Sequence, residues 1–184
     1  MILIIGLGNP GKKYEYTRHN FGFISLNSLA KKNNITWKKH TTSNSLITYF
    51  KLKKEKIILA KPQNFINNSG ISVKSLKQYY KIPANKIIII YDDIDITFNK
   101  LKISKSKSSG GHNGIYSIIQ NLKSKEFIRI RLGIGPKKGK LESFVLKEFN
   151  KKEKNIIQEI IDTSHLALEE ILNNNYNSAA NKYN

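Results

Sequence analysis

Apolar positions recur along this chain in two rhythms. Ile2, Leu3, Ile4 and Ile5 form an unbroken run closed by Gly6, the signature of a buried strand. Similar short runs predict strands over Met1 to Gly6, Leu46 to Leu52, Lys56 to Lys61, Lys86 to Asp92, Lys100 to Ser104 and Phe127 to Ile134. Between them the spacing turns helical: Phe23, Leu26 and Ala30 share one face, as do Val73, Leu76 and Tyr80. A further helix is expected from Gly114 to Leu122, and a long C-terminal one carries Ile156, Ile160, Ala167 and Ile171 beside Ile157, Ile161, Leu168 and Leu172. Alternating strands and helices predict an α/β fold, a single domain over 1–184 with a mixed, largely parallel twisted sheet flanked by helices. The close pair Leu46 to Leu52 and Lys56 to Lys61 reads as an antiparallel hairpin. The Ser-rich stretch Ser104 to Ser109 and the Asn-rich tail from Asn173 read as loosely ordered.

Composition narrows the chemistry. With 184 residues and 39% hydrophobic content the chain can bury one core. No apolar run approaches the roughly 20 residues of a membrane span, and the N-terminal run is too short for a signal peptide. The expectation is a cytoplasmic protein with no membrane partner. The absence of cysteine excludes disulfides, thiolate nucleophiles and Cys-based zinc sites. A formal charge of +19 points to a polyanionic partner such as nucleic acid. Most of that charge is lysine in a chain also heavy in Ile and Asn, which is what a solvated coat looks like, so local support is required.

Gly6-Leu7-Gly8-Asn9-Pro10-Gly11 matches G-x-G-x-x-G directly after a strand. Dinucleotide binding fails on context: Lys12 and Lys13 follow Gly11 where a helix should open, and no acidic residue lies between Glu15 and Glu55 to hold a ribose. The turn instead sets Asn9 just past a strand, where ligands of open α/β sheets collect. Phe65 and Asn67 past Lys61-Pro62, Asp92 at the end of Ile87 to Tyr91, and Asn113 past Gly110-Gly111 obey the same rule.

His19 is the candidate base, because imidazole alone titrates near neutrality unaided. Asp92 is the carboxylate that would fix its tautomer and stabilise the imidazolium. Tyr91-Asp92-Asp93-Ile94-Asp95 admits magnesium as a rival, but on a strand Asp92 and Asp93 point to opposite faces. No His-x-x-x-His pattern offers another metal site, so no metal or cofactor is expected. Without cysteine or a G-x-S-x-G elbow, the simplest hydrolysis is direct activation of water. Asn9, Asn67 and Asn113 could bind substrate through their amides; Asn67 or Asn68, and Asn113, could instead cap helices. Ser108-Ser109-Gly110-Gly111-His112-Asn113-Gly114 is either an anion seat before a helix or a surface loop. Lys102, Lys105 and Lys107 precede it, and Arg129 and Arg131 alternate along a strand and so face one side, local support for phosphate binding.

Together these segments resemble the bacterial peptidyl-tRNA hydrolases. The matching residues are Gly6-Leu7-Gly8-Asn9-Pro10-Gly11 with Tyr14 and Thr17 to Gly22, Lys61-Pro62 with Phe65 to Gly70, Asp92 to Asp95, Ser109 to Gly114, and Arg129 to Gly135. They occur in family order and spacing over almost the whole chain. The resemblance implies a monomeric enzyme, with no obligate protein partner, that hydrolyses the ester between a peptide and the terminal ribose of tRNA. It implies His19 and Asp92 as catalytic residues; Asn9, Tyr14, Phe65, Asn67 and Asn113 as substrate contacts; and Arg131 as a tRNA phosphate contact. Ile66 stands where methionine is usual, and Gln63 where threonine is common. Ser104 takes the place of a basic phosphate clamp found in some relatives, leaving Lys102 or Lys105 as substitutes.

Overall fold

Ile2–Gly6, here β1, is buried along its whole length because it lies inside the sheet and is covered on both faces. The computed structural model describes residues 1–136 and 139–184. Its seven strands are β1, β2 (Lys38–His40), β3 (Ser45–Leu52), β4 (Glu55–Pro62), β5 (Ile87–Thr97), β6 (Leu101–Lys105) and β7 (Ile128–Gly135). They form one mixed sheet in the order β2-β3-β4-β1-β5-β7-β6. β1 pairs in parallel with β4 and β5, and β5 with β7; β3 and β4 form the expected antiparallel hairpin, and β6 pairs antiparallel with β7.

The two-residue period of a strand divides the core in two. Ile2, Ile4, Ile88 and Ile90 face a layer containing Phe21, Leu26, Ile160, Ala167 and Leu168, from helices α1 (Phe21–Lys32) and α5 (Lys151–Asn173). Leu3, Ile5, Ile89 and Tyr91 face the other layer, where Val73, Leu76, Ile115 and Ile118 come from α2 (Ser69–Tyr79) and α3 (Asn113–Leu122). α1 approaches the sheet through glycine. A Cβ at Gly22 would sit 2.2 Å from the Ile90 carbonyl oxygen and 2.5 Å from Leu7 N, and one at Gly6 would meet the Gly22 oxygen at 2.4 Å.

Several elements differ from the sequence expectation, each for a local reason. β2 is polar and only three residues long, so no apolar alternation announces it. β5 runs on past its expected end at Asp92 to Thr97 through a register shift between Asp93 and Thr97, so the whole acidic stretch lies inside an irregular strand. Ser104 lies in β6 as the strand expectation has it, and Lys105 extends that strand into the stretch read as loose. α4 (Leu141–Val145) has too few residues to show a helical period. The Asn-rich tail is ordered: Asn175 caps α6 (Tyr176–Tyr183) by accepting from Ser178 N at 3.0 Å. Asn184 then closes the β6 edge, its side chain accepting from Ile103 N at 2.7 Å and donating to Ile103 O at 3.0 Å. Asparagine amides there imitate backbone, which composition alone does not reveal.

Gly22→Ala should destabilise the protein by about 1–3 kcal/mol or more, because backbone on both sides must move to admit the methyl. Urea denaturation of the variant beside the wild type measures it.

Candidate active site

His19 stands in a short turn, Arg18–Asn20, immediately before α1, and both its neighbours are anchored. Arg18 is 6% exposed; its Nη2 donates to both Glu153 oxygens at 2.9 and 2.7 Å, and its Nη1 donates to the Glu148 carbonyl at 2.6 Å. Glu153 also completes the capping box that starts α5. Asn20, the residue before α1, makes no side-chain cap; its amide is spent on Asn9 instead. It accepts from Asn9 N at 2.8 Å and donates to Asn9 O at 3.0 Å. The turn after β1 and the entry to α1 are thereby locked together.

This frame delivers His19 to Asp92 on β5. Asp92 is 2% exposed, and His19 Nδ1 lies 2.9 and 3.1 Å from its two oxygens. A second imidazole shares the carboxylate: His112 Nε2 is 3.3 Å from Asp92 Oδ1. The tautomer of His112 follows from its other nitrogen. Ile115 N donates to His112 Nδ1 at 3.2 Å, which makes His112 the cap of α3 and leaves its proton on Nε2, facing Asp92. Burial opposes ionisation of Asp92, but the His19 charge and the hydrogen bonds from both imidazoles outweigh it and hold the carboxyl well below the usual carboxylate range. For His19, burial favours the neutral ring, yet the Asp92 charge and hydrogen bond prevail and its pKa rises above the ordinary 6.5.

His19, Asp92 and His112 line a cleft of about 450 Å³ that also takes in Asn9, Tyr14, Phe65, Asn67 and Asn113. Chain segments far apart in sequence therefore meet at one place, beyond the carboxyl end of β1 and beside Asp92 where β5 becomes irregular. Asn9 is oriented: its Oδ1 accepts from Ile66 N at 2.8 Å, so its amide nitrogen is the group left for a ligand. Tyr14 and Phe65 stand edge to face at 6.1 Å, Phe65 being 56% exposed. Asn67 and Asn113 are exposed and do not act as caps; His112 caps α3, and Asn68, which precedes α2, makes no cap bond. Leu141, Val145 and Leu146, from α4 and its end, supply an apolar wall that sequence reading missed.

The expected phosphate contacts lie elsewhere. Arg131 donates through Nε to Asp93 Oδ2 at 2.8 Å, and Lys102 faces it in register across the β6–β7 pair. Lys105 is 3.5 Å from Glu126. Arg129 faces the same side as Arg131 but is 1% exposed, so it adds nothing to a phosphate surface. Ser104, 6% exposed, offers no donor there either. Asp92 and Asp93 do diverge, one to the histidines and one to Arg131. Among the described residues the trio that could hold a metal ion is His19, Asp92 and His112, with ligand atoms within 4.8 Å of one another. Those atoms are already joined by hydrogen bonds, and a cation would have to displace the protons of both rings.

The site is thus a histidine–carboxylate pair past the carboxyl end of β1 in a mixed α/β sheet, ringed by amides, in a chain without cysteine. The family model described as peptidyl-tRNA hydrolase matches residues 3–184. The chain belongs to the peptidyl-tRNA hydrolase family and is, by that homology, a hydrolase. It is 46% identical over 186 residues to a peptidyl-tRNA hydrolase of Thermoanaerobacter pseudethanolicus, covering 100% of both chains. It is 43% identical over 185 residues to one from Listeria monocytogenes, covering 100% of this chain and 99% of the relative. The crystal structure of peptidyl-tRNA hydrolase from Acinetobacter baumannii superposes with a TM-score of 0.93 at 30% identity, over 100% of this chain and 94% of that one.

Ring nitrogen NMR should find His112 as the Nε2–H tautomer and His19 more than half protonated at pH 6.5, since its pKa is raised above that value. A neutral His19 at that pH, or a proton on His112 Nδ1, would contradict the hydrogen-bond assignment.

Proposed function

We propose that the chain hydrolyses the ester joining the carboxyl end of a peptide to the terminal ribose of tRNA, and that His19 is its general base. The observation that carries this reading is the contact of His19 Nδ1 with buried Asp92, which leaves Nε2 as the nitrogen available in the cleft. Water gives a proton to Nε2 as its oxygen bonds to the ester carbonyl carbon. Asp92 stabilises the imidazolium so formed. When the tetrahedral intermediate collapses, the bond to the ribose oxygen breaks and that oxygen takes the proton back from His19. The products are a peptide carboxylic acid, which loses its remaining proton to solvent, and tRNA with a free ribose hydroxyl, and no covalent enzyme intermediate is required.

The amides of Asn67 and Asn113 and the Nδ2 group of Asn9 hold the peptidyl carbonyls and the attacking water, while Tyr14 and Phe65 contact the substrate's apolar parts. Arg131, whose Nε is engaged by Asp93, offers its Nη groups to a tRNA phosphate, supported by Lys102 and Lys105 along β6. Among the described residues no helix is long and apolar enough to cross a membrane. The enzyme acts as a monomer in the cytoplasm, where its substrate arises, a state that sedimentation checks directly.

His19→Ala should lower kcat by about 10²–10⁴, the worth of a positioned general base, while tRNA binding by filter retention stays nearly unchanged. Wild-type activity should survive EDTA; rescue of EDTA-treated enzyme by magnesium or manganese would favour metal chemistry.

The Asn9 amide nitrogen can donate to the acyl carbonyl of an N-blocked substrate, which a free ammonium lacks. Asn9→Ala should therefore narrow the ratio of kcat/KM for N-acetyl-aminoacyl-tRNA over aminoacyl-tRNA. An unchanged ratio places discrimination at Asn67 or Asn113.

A further inference from the structure

Arg129 is among the most deeply buried side chains of the protein, and among the described residues no carboxylate pairs with it. A cation left so is expensive unless its donors are satisfied. Its Nη1 donates to the Ser108 carbonyl at 2.6 Å and its Nη2 to the Lys107 carbonyl, while the Phe127 ring lies 4.8 Å from the guanidinium carbon. Both carbonyls belong to the segment that joins β6 to α3. The flat fork of arginine meets two successive carbonyls at once, which the single ammonium of lysine cannot imitate.

Just beyond the clamped carbonyls the chain passes through Gly110 and Gly111, with φ of 58° and 78°, and arrives at His112. A Cβ on either glycine would meet nothing within 4 Å, so the glycines serve backbone conformation rather than space. Tyr91, whose pKa burial and the Asp93 charge push up to about 12 while the Arg131 and Arg129 charges oppose the rise, packs its ring edge to face on His112 with centroids 4.8 Å apart. His112 in turn shares Asp92 with His19.

We infer that Arg129 is a positioning residue: it sets the Lys107–Gly111 segment so that His112 reaches Asp92 and the loop backbone lines the cleft. This rests on the proposed role of the His19–Asp92 pair. Without the fork, the segment relaxes and His112 withdraws from Asp92. The carboxylate then acts on His19 alone, and the imidazole pKa rises. Arg129 accordingly governs rate and its pH dependence, not the hold on tRNA.

The test is the pH profile of kcat/KM for peptidyl-tRNA hydrolysis by wild type, His112→Ala, Arg129→Lys and Arg129→Gln, with circular dichroism to establish folding. The position of an acidic limb does not depend on how much of a preparation is active, so partial misfolding cannot mimic the result. Both Arg129 variants should lose about tenfold to a hundredfold in kcat, the cost of misplacing a catalytic constellation, with KM changed less than threefold. Their acidic limbs should move up by about half a unit or more, as in His112→Ala. An unmoved limb in folded Arg129 variants, a loss confined to KM, or failure of both variants to fold would each overturn the inference. The underlying reading fails separately, if the wild type does not cleave peptidyl-tRNA or His19→Ala retains full turnover.

Discussion

A carboxylate withdrawn from water must find its hydrogen bonds inside the protein, and the arrangement around Asp92 follows from that requirement. The residue is buried at the sheet's carboxyl edge, and its two side-chain partners are imidazoles from opposite sides, His19 before α1 and His112 before α3. Each must arrive within hydrogen-bond range. On the α1 side this is achieved by backbone contact of Gly22 with β1 and β5, and by the Arg18–Glu153 ion pair that ties the His19 turn to the start of α5. On the α3 side the cap bond from Ile115 fixes the ring of His112. Broken on either side, the pair would leave a buried charge short of donors.

The same constraint divides the cleft into committed and free polar groups. Asn20 and the carbonyl oxygen of the Asn9 amide are consumed by structure, and the Asn9 nitrogen is not. Asn67 stands exposed on the short turn entering α2, and Asn113 stands exposed as the first residue of α3. An amide donor fixed beside the His19–Asp92 pair, as Asn9 is, suits a reaction in which charge develops on a carbonyl oxygen. The apolar wall from Leu141 to Leu146 and the exposed Phe65 ring give the other half of the cleft the character of a surface for non-polar side chains.

Much of this was legible in the chain because the signals are local. The unbroken run Ile2 to Ile5, the helical stripes and the Gly6 to Gly11 turn each describe a single element, and the carboxyl-end rule brought Asn9, Phe65, Asn67, Asp92 and Asn113 to one region. What escaped depends on contacts between elements. His112 sat inside a quoted motif, but its part in the site comes from the meeting of two imidazoles at one carboxylate, which spacing cannot show. Arg129 and Arg131 share a strand face as alternation requires, yet one is sealed under a loop and the other is paired with Asp93. The tail from Asn173 looked unstructured by composition and proved to be a capped helix and an edge clasp.

The charge of Asp92 raises the pKa of His19 despite the burial of the imidazole. Two opposing causes act on that imidazole, burial lowering its pKa and Asp92 raising it, and only the second is removed by Asp92→Asn. The decisive measurement is the acidic limb of kcat/KM in wild type and in Asp92→Asn. In wild type it should lie above pH 6.5, because a raised pKa keeps His19 protonated, and so unable to accept a proton, until the pH exceeds that value. In Asp92→Asn burial acts unopposed, and the limb should fall below 6.5 with a lower plateau. The same limb in both proteins would contradict the account.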